Sequence, residues 1–287
     1  MSRLSVYGAK PARLLKQLSS SQLTVPKTGS FCAGFEVQRW CCDKLADHLI
    51  EWMADYALSE EELQVHHGNM YVRLKEAAAR VYASKKYEGR GEIGEILLHA
   101  ICRDFFDTIP IAPRVFYLTS SNDVVKSFDL VHVRGTTTGE FEIWLGEAKF
   151  YGDAASAVRA AVDSIETHID AGFLNKEKLL LRGQISKSAP RYDDICRLFE
   201  TQTSLDDLFD AAVFPVCIAC DSAAAAKSKK ADEEYVKLVK SELSQLAARL
   251  GASGIAREIV LHLIYVPLGS KEALAQAFDK RLKGLAP

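Results

Sequence analysis

Hydrophobic positions change their period near residue 90. Between residues 36 and 56, Leu45, Leu49, Trp52, Met53 and Tyr56 recur at helical spacing and predict an amphipathic helix. Ser59-Glu60-Glu61-Glu62 has the form of a capping box and predicts the start of a short helix. Residues 70–82 predict another helix. Residues 1–35, with Pro11, Pro26 and Gly29, show no firm period. Residues 1–88 therefore read as a mainly helical N-terminal region.

From residue 89 onward the pattern is α/β. Ile93, Ile96, Leu97, Ala100, Ile101 and Phe105 predict a helix from residue 91 to about 106. An extended segment over 109–113 and a strand over 114–119 follow. Residues 128–134 and 141–149 alternate apolar and polar, with 135–140 as a hairpin loop between them. Helices are predicted over 153–169, 232–250 and 270–283. Strands of the fully buried kind are predicted over 211–220 and 258–266. Such mixing predicts an α/β domain over 89–287, a mixed sheet flanked by helices.

Folding the two alternating runs about Thr138 sets Asp129 opposite Glu147, Val131 opposite Leu145 and Val133 opposite Ile143. Arg134 meets Glu142 on the other face. Side chains alternate along a strand, so Glu147 and Lys149 share an otherwise apolar face. Two close carboxylates stay ionised together only with a cation between them. Oxygen ligands suit Mg²⁺ or Mn²⁺. A neighbouring lysine can orient a water or stabilise charge on a phosphate. An isolated E-x-K is ordinarily a surface ion pair; here the aspartate, the spacing and the end-of-face placement agree.

A third segment bears on this. In Gly89-Arg90-Gly91-Glu92-Ile93-Gly94-Glu95-Ile96-Leu97-Leu98-His99, Glu92, Glu95 and His99 fall near one another on the helix. Glu92 is explained by the helix dipole, and the deeper Glu95 less well. A helix carboxylate aimed at the hairpin end would complete a metal site.

Helix glutamate, strand aspartate and then E-x-K on the next strand resemble the PD-(D/E)xK nuclease superfamily. Gly-Glu-x-Gly-Glu-x-Leu-Leu-His and Leu-Gly-Glu-Ala-Lys-Phe-Tyr resemble more closely the nuclease subunit of the Hachiman antiphage system, the HamA-like proteins. The motif-bearing stretch runs from Gly89 to Tyr151, and Phe128 rather than proline precedes Asp129. The resemblance implies a PD-(D/E)xK nuclease-like α/β core and an Mg²⁺- or Mn²⁺-dependent DNA endonuclease or nickase. It implies Asp129, Glu147 and the Ala148 backbone carbonyl as metal ligands, Glu95 as the helix carboxylate that joins them, and Lys149 as the catalytic lysine. It also implies a helicase partner of the HamB type.

Composition changes one part of this picture. Net charge is −2 and the pI about 6.4, unlike a protein that binds nucleic acid unaided. DNA would be held locally or delivered by the partner. Lys176, Lys178, Arg182, Lys187 and Arg191 form one candidate basic patch, and Lys227, Lys229 and Lys230 a second. No run approaches the roughly 20 apolar residues of a membrane span, and residues 1–8 lack a signal-peptide core, so a cytoplasmic protein is expected. Seven cysteines without scaffold spacing predict free thiols. Cys217 and Cys220 lack partners for a zinc site. Without a G-x-x-x-x-G-K-[ST] loop, any ATP-driven step belongs to a partner. Two alternatives stand beside the nuclease. One is a non-catalytic nuclease-fold module that docks on a helicase or DNA. The other is a metal-free hydrolase using Asp129 and Glu147 as an acid/base pair.

Overall fold

The computed structural model describes residues 6–82, 90–111, 128–137, 139–187, 189–257 and 259–285. Among these, the strands β1 (Lys16–Ser21), β2 (Lys27–Cys32), β5 (Ile109–Pro110), β6 (Leu130–Gly135), β7 (Phe141–Tyr151), β8 (Ala212–Asp221) and β9 (Leu261–Leu268) form one mixed sheet, in the order β1-β2-β9-β8-β7-β6-β5. The four central strands, β2, β9, β8 and β7, run parallel, and β1, β6 and β5 are antiparallel at the edges. Both faces of the centre are covered, which is why β8 and β9 read as nearly unbroken apolar runs.

Alternation along the strands divides the core into two layers. Ile143 and Leu145 of β7 and Phe214, Val216 and Ile218 of β8 pack against α4 (Ala154–Ile169), α5 (Ala171–Arg182), α6 (Tyr192–Leu198), α7 (Leu205–Ala211) and α9 (Glu233–Ala252). Trp144 and Phe150 of β7 and Val213, Cys217 and Ala219 of β8 face the other way. They pack against α1 (Cys42–Ala57), α2 (Met70–Tyr82), α3 (Gly91–Phe105) and α10 (Lys271–Leu285). The short α8 (Ala223–Lys227) follows β8. The expected mixed sheet flanked by helices is therefore present.

The stretch before residue 89 contributes strands to this sheet. β2 lies inside the sheet, with Lys27 to Ser30 paired to His262 to Tyr265, so the N-terminal region completes the same sheet as the rest of the chain. These strands escaped the hydrophobic pattern for a physical reason. β1 is a polar edge, and β2 buries Thr28 and Ser30 at positions where an apolar residue is the usual mark of a strand. The Ser30 hydroxyl is satisfied by Ser19, at 2.6 Å.

Other boundaries shift as well. The first helix begins at Cys42 because Val37 and Gln38, at φ of 46° and 60°, turn the chain between β3 (Phe35–Glu36) and β4 (Arg39–Trp40). The Ser59 N–H and hydroxyl both donate to the Glu62 carboxylate, but only a turn follows, with Glu62 also bound to Arg80. α5, α6 and α7 lie where no helix was predicted. The predicted strand over 114–119 lies outside the described residues.

Candidate functional site

The hairpin has the expected register: Val131 pairs with Leu145, Val133 with Ile143, and Arg134 with Glu142, the last pair as an ion pair at 3.0 Å. Asp129 sits just before β6. Its backbone N–H donates to the Gly146 carbonyl at 2.9 Å, and its Oδ2 accepts from the Ala148 N–H at 2.8 Å. The side chain thereby satisfies a β7 backbone donor beyond the end of β6. Gly146 permits this closeness. A Cβ there would stand 2.9 Å from Leu98 and 3.0 Å from Leu130.

Glu147 lies on the α4 side of the sheet and is only 5% exposed. Its Oε1 accepts from the Lys149 ammonium and from the Ser164 hydroxyl, the latter at 2.9 Å. Its Oε2 lies 3.3 Å from His168 Nδ1. Ser164 and His168 are one turn apart on α4, and so address the same carboxylate together. The His168 ring packs on Phe128 at 4.7 Å and stacks on Phe173 at 4.9 Å. Sequence reasoning missed both residues. The available signal was positional. Asp153 caps the helix directly after the E-x-K strand, and that helix covers the strand's Glu147 face.

Glu95 is placed elsewhere. α3 crosses the opposite face of β7, where a Cβ on Gly94 would meet Phe150 Cβ at 3.2 Å and Ala148 Cβ at 3.5 Å. These are even-numbered positions, whereas Glu147 and Lys149 are odd. Glu95 accepts a hydrogen bond from the Tyr56 hydroxyl of α1. Among the described residues no three His, Cys, Asp or Glu side chains are gathered as a metal would need. The contacts join Glu147 to Lys149 and Asp129 to the Ala148 backbone, and among the described residues three carboxylates do not converge. Glu92 is no substitute, because it pairs with Arg90 at 2.9 Å, and burial pushes its carboxyl up despite that partner.

His99, one turn from Glu95 on α3 and likewise beside Tyr56, also joins a buried network under the hairpin. Its Nε2 lies 2.6 Å from Asp55, which also accepts from Arg103 at 3.0 Å. Its Nδ1 lies 3.2 Å from His132 Nε2, and His132 Nδ1 lies 2.7 Å from the Thr108 hydroxyl. One orientation satisfies every member with both rings neutral: Thr108 donates to His132, His132 to His99, and His99 to Asp55. Burial lowers both histidines, which agrees with neutral rings.

The residues at the hairpin end fit a hard divalent ion of modest protein ligation. Glu147 Oε2 is buried, and no hydrogen bond reaches it among the described residues. Mg²⁺ typically keeps several waters and takes one or two carboxylates. Of the first candidate basic patch, much is consumed locally. Lys178 is buried and donates to the Thr203 carbonyl, Arg182 pairs with Glu200, and Arg191 with Asp194. Cys217 and Cys220 are buried thiols that fall in opposite core layers, so they do not form a chelating pair.

A family model described as HamA matches residues 13–282, a span that includes β1, most of α10 and every residue of the candidate site. No curated protein and no solved structure matches the chain. Among the described residues no helix is long and apolar enough to cross a membrane.

Proposed function

Since the chain belongs to the HamA family and is thus a Hachiman defence-system subunit, we propose that it is that system's effector nuclease, a metal-dependent DNA endonuclease or nickase. The observation that carries this reading is the bond from Asp129 to Ala148, which ties a strand carboxylate to the middle of Glu147-Ala148-Lys149. Asp129 and Glu147 would hold Mg²⁺ or Mn²⁺, with the Ala148 carbonyl as a further oxygen ligand. When bound, the ion supplies charge stabilisation at the phosphate and lowers the pKa of a bound water. Lys149, held against Glu147, orients the attacking water and offsets negative charge that develops on the phosphate. Any part for Glu95 runs through water, because Tyr56 and the opposite face hold it. A helicase of the HamB type delivers the DNA. The net charge of −2 and the locally paired basic residues give the chain little attraction for DNA of its own.

One observation favours the non-catalytic module instead: Glu147 is deeply buried and engaged by Lys149 and Ser164. Incubating supercoiled plasmid with the chain, with and without the helicase, in Mg²⁺ and in EDTA, separates the two. Nicking that requires Mg²⁺ and vanishes in Lys149→Ala supports the nuclease. Intact plasmid in every arm, with the helicase present, supports the module.

A further inference from the structure

Glu147 is addressed by two side chains of α4 that the E-x-K motif does not contain. Ser164 holds Oε1 at 2.9 Å, and His168 Nδ1 faces Oε2 at 3.3 Å. Both lie on a helix whose start is fixed by the Asp153 cap, two residues after β7 ends. The His168 ring is clamped between Phe128 and Phe173 and is 3% exposed. Phe128 directly precedes Asp129, so one ring touches the segments that carry both strand carboxylates. A carboxylate used as a ligand needs its plane fixed before the ion arrives. Groups that fix ligands in this way commonly change metal affinity or activity by about 10- to 100-fold when removed.

We infer that His168, assisted by Ser164, is a positioning residue that sets the orientation of the Glu147 carboxylate for metal binding. The inference rests on the nuclease reading above and names the part of the fold that prepares its site. Lys149 and Ser164 both donate to Oε1, and His168 Nδ1 stands 3.3 Å from the other oxygen, on the α4 side, as its neighbour rather than its hydrogen-bond donor.

Two replacements at one position separate orientation from packing. His168→Phe keeps an aromatic ring against Phe128 and Phe173 and removes the nitrogen. His168→Asn places an amide nitrogen close to where Nδ1 stands and removes the ring. The full chain is titrated with Mg²⁺ and with Mn²⁺ by calorimetry, melted in EDTA, and assayed for plasmid cleavage with the helicase. A positioning role predicts that Phe melts near wild type in EDTA, yet binds metal and cleaves about 10- to 100-fold less well. It predicts that Asn melts lower but recovers most of the metal affinity. Ser164→Ala should show a smaller loss of metal affinity. The inference is overturned if Phe binds metal and cleaves like wild type. It is overturned too if Asn loses affinity as fully as Phe, which would make the ring's packing the whole role. Wild type that neither binds metal nor cleaves would instead sink the nuclease reading, and this inference with it.

Discussion

Asp129, just before β6, accepts a hydrogen bond from the N–H of Ala148, 2.8 Å away, the residue between Glu147 and Lys149. One side chain thus has two tasks, as backbone acceptor and as candidate ligand. The two can be separated. Asp129→Asn keeps an acceptor oxygen for Ala148, whereas Asp129→Ala leaves that N–H without it. Urea unfolding should place Asn close to wild type and Ala lower by about 1–3 kcal/mol. Plasmid cleavage should fall by about 100-fold or more in both, because both lose the charge that would face the metal. An Asn variant that cleaves normally would restrict Asp129 to its backbone task.

Glu147→Gln should abolish cleavage and also lower metal-free stability. The Lys149 side chain is 14% exposed and that of Glu147 6%. Removing the negative charge leaves a largely buried ammonium facing an amide, at a cost of about 1–3 kcal/mol, below the value for a fully buried pair. Melting in EDTA reads this directly, and added Mg²⁺ should raise wild type more than the variant. A variant that melts above wild type in EDTA would mean that repulsion from Asp129 outweighs the lysine's attraction.

Glu95→Gln should be far milder. Tyr56 can donate to an amide oxygen as well as to a carboxylate, and α3 holds Glu95 on the opposite face from Glu147. Cleavage should stay within about tenfold of wild type, the scale of an outer-shell change. A loss equal to that of Glu147→Gln would place Glu95 directly on the ion.

Acid should destabilise the protein well before its carboxylates protonate. Burial first, then Lys27 and Arg134, lowers His262 to about 4. An unfolded histidine titrates near pH 6.5, so between about 6.5 and 4 the unfolded chain binds the extra proton. The stability contributed by neutral His262 is complete above that window and is lost as pH falls through it, at about 1.4 kcal/mol per pH unit at most. His99 and His132 are also lowered and act in the same direction. Urea midpoints at pH 7.5 and pH 4.5 should differ less in His262→Leu than in wild type. Equal differences would show that His262 is not the group that titrates.

Much of the hairpin was legible in the sequence because its signals are local. Alternation set the faces, and the pairing of Arg134 with Glu142 agreed with the register that the structure shows. The placement of Glu95 was not legible. Helical spacing shows which residues of α3 share a side, but not which face of the sheet the helix crosses, and Gly94 against Ala148 decides that. His168 was hidden for a related reason. A lone histidine late in an amphipathic helix gains meaning only once the helix is laid over β7. β1 and β2 were obscured by Ser19, Thr28 and Ser30, whose hydroxyls occupy strand positions through hydrogen bonds or pairing across strands.

The place of β2 beside β9 also bears on how the chain is made. Lys27 pairs with His262, so a strand from the start of the chain waits for one near its end, roughly 235 residues later. The entropy of closing so long a loop grows only slowly with its length, but such distant pairings slow folding. On the ribosome β7 emerges before β8 and β9, its route to the far half of the sheet. The residues of the candidate site emerge before β8, whereas a chain cut short before residue 261 lacks the strand that joins β2 to β8. Interrupted synthesis would yield no finished sheet.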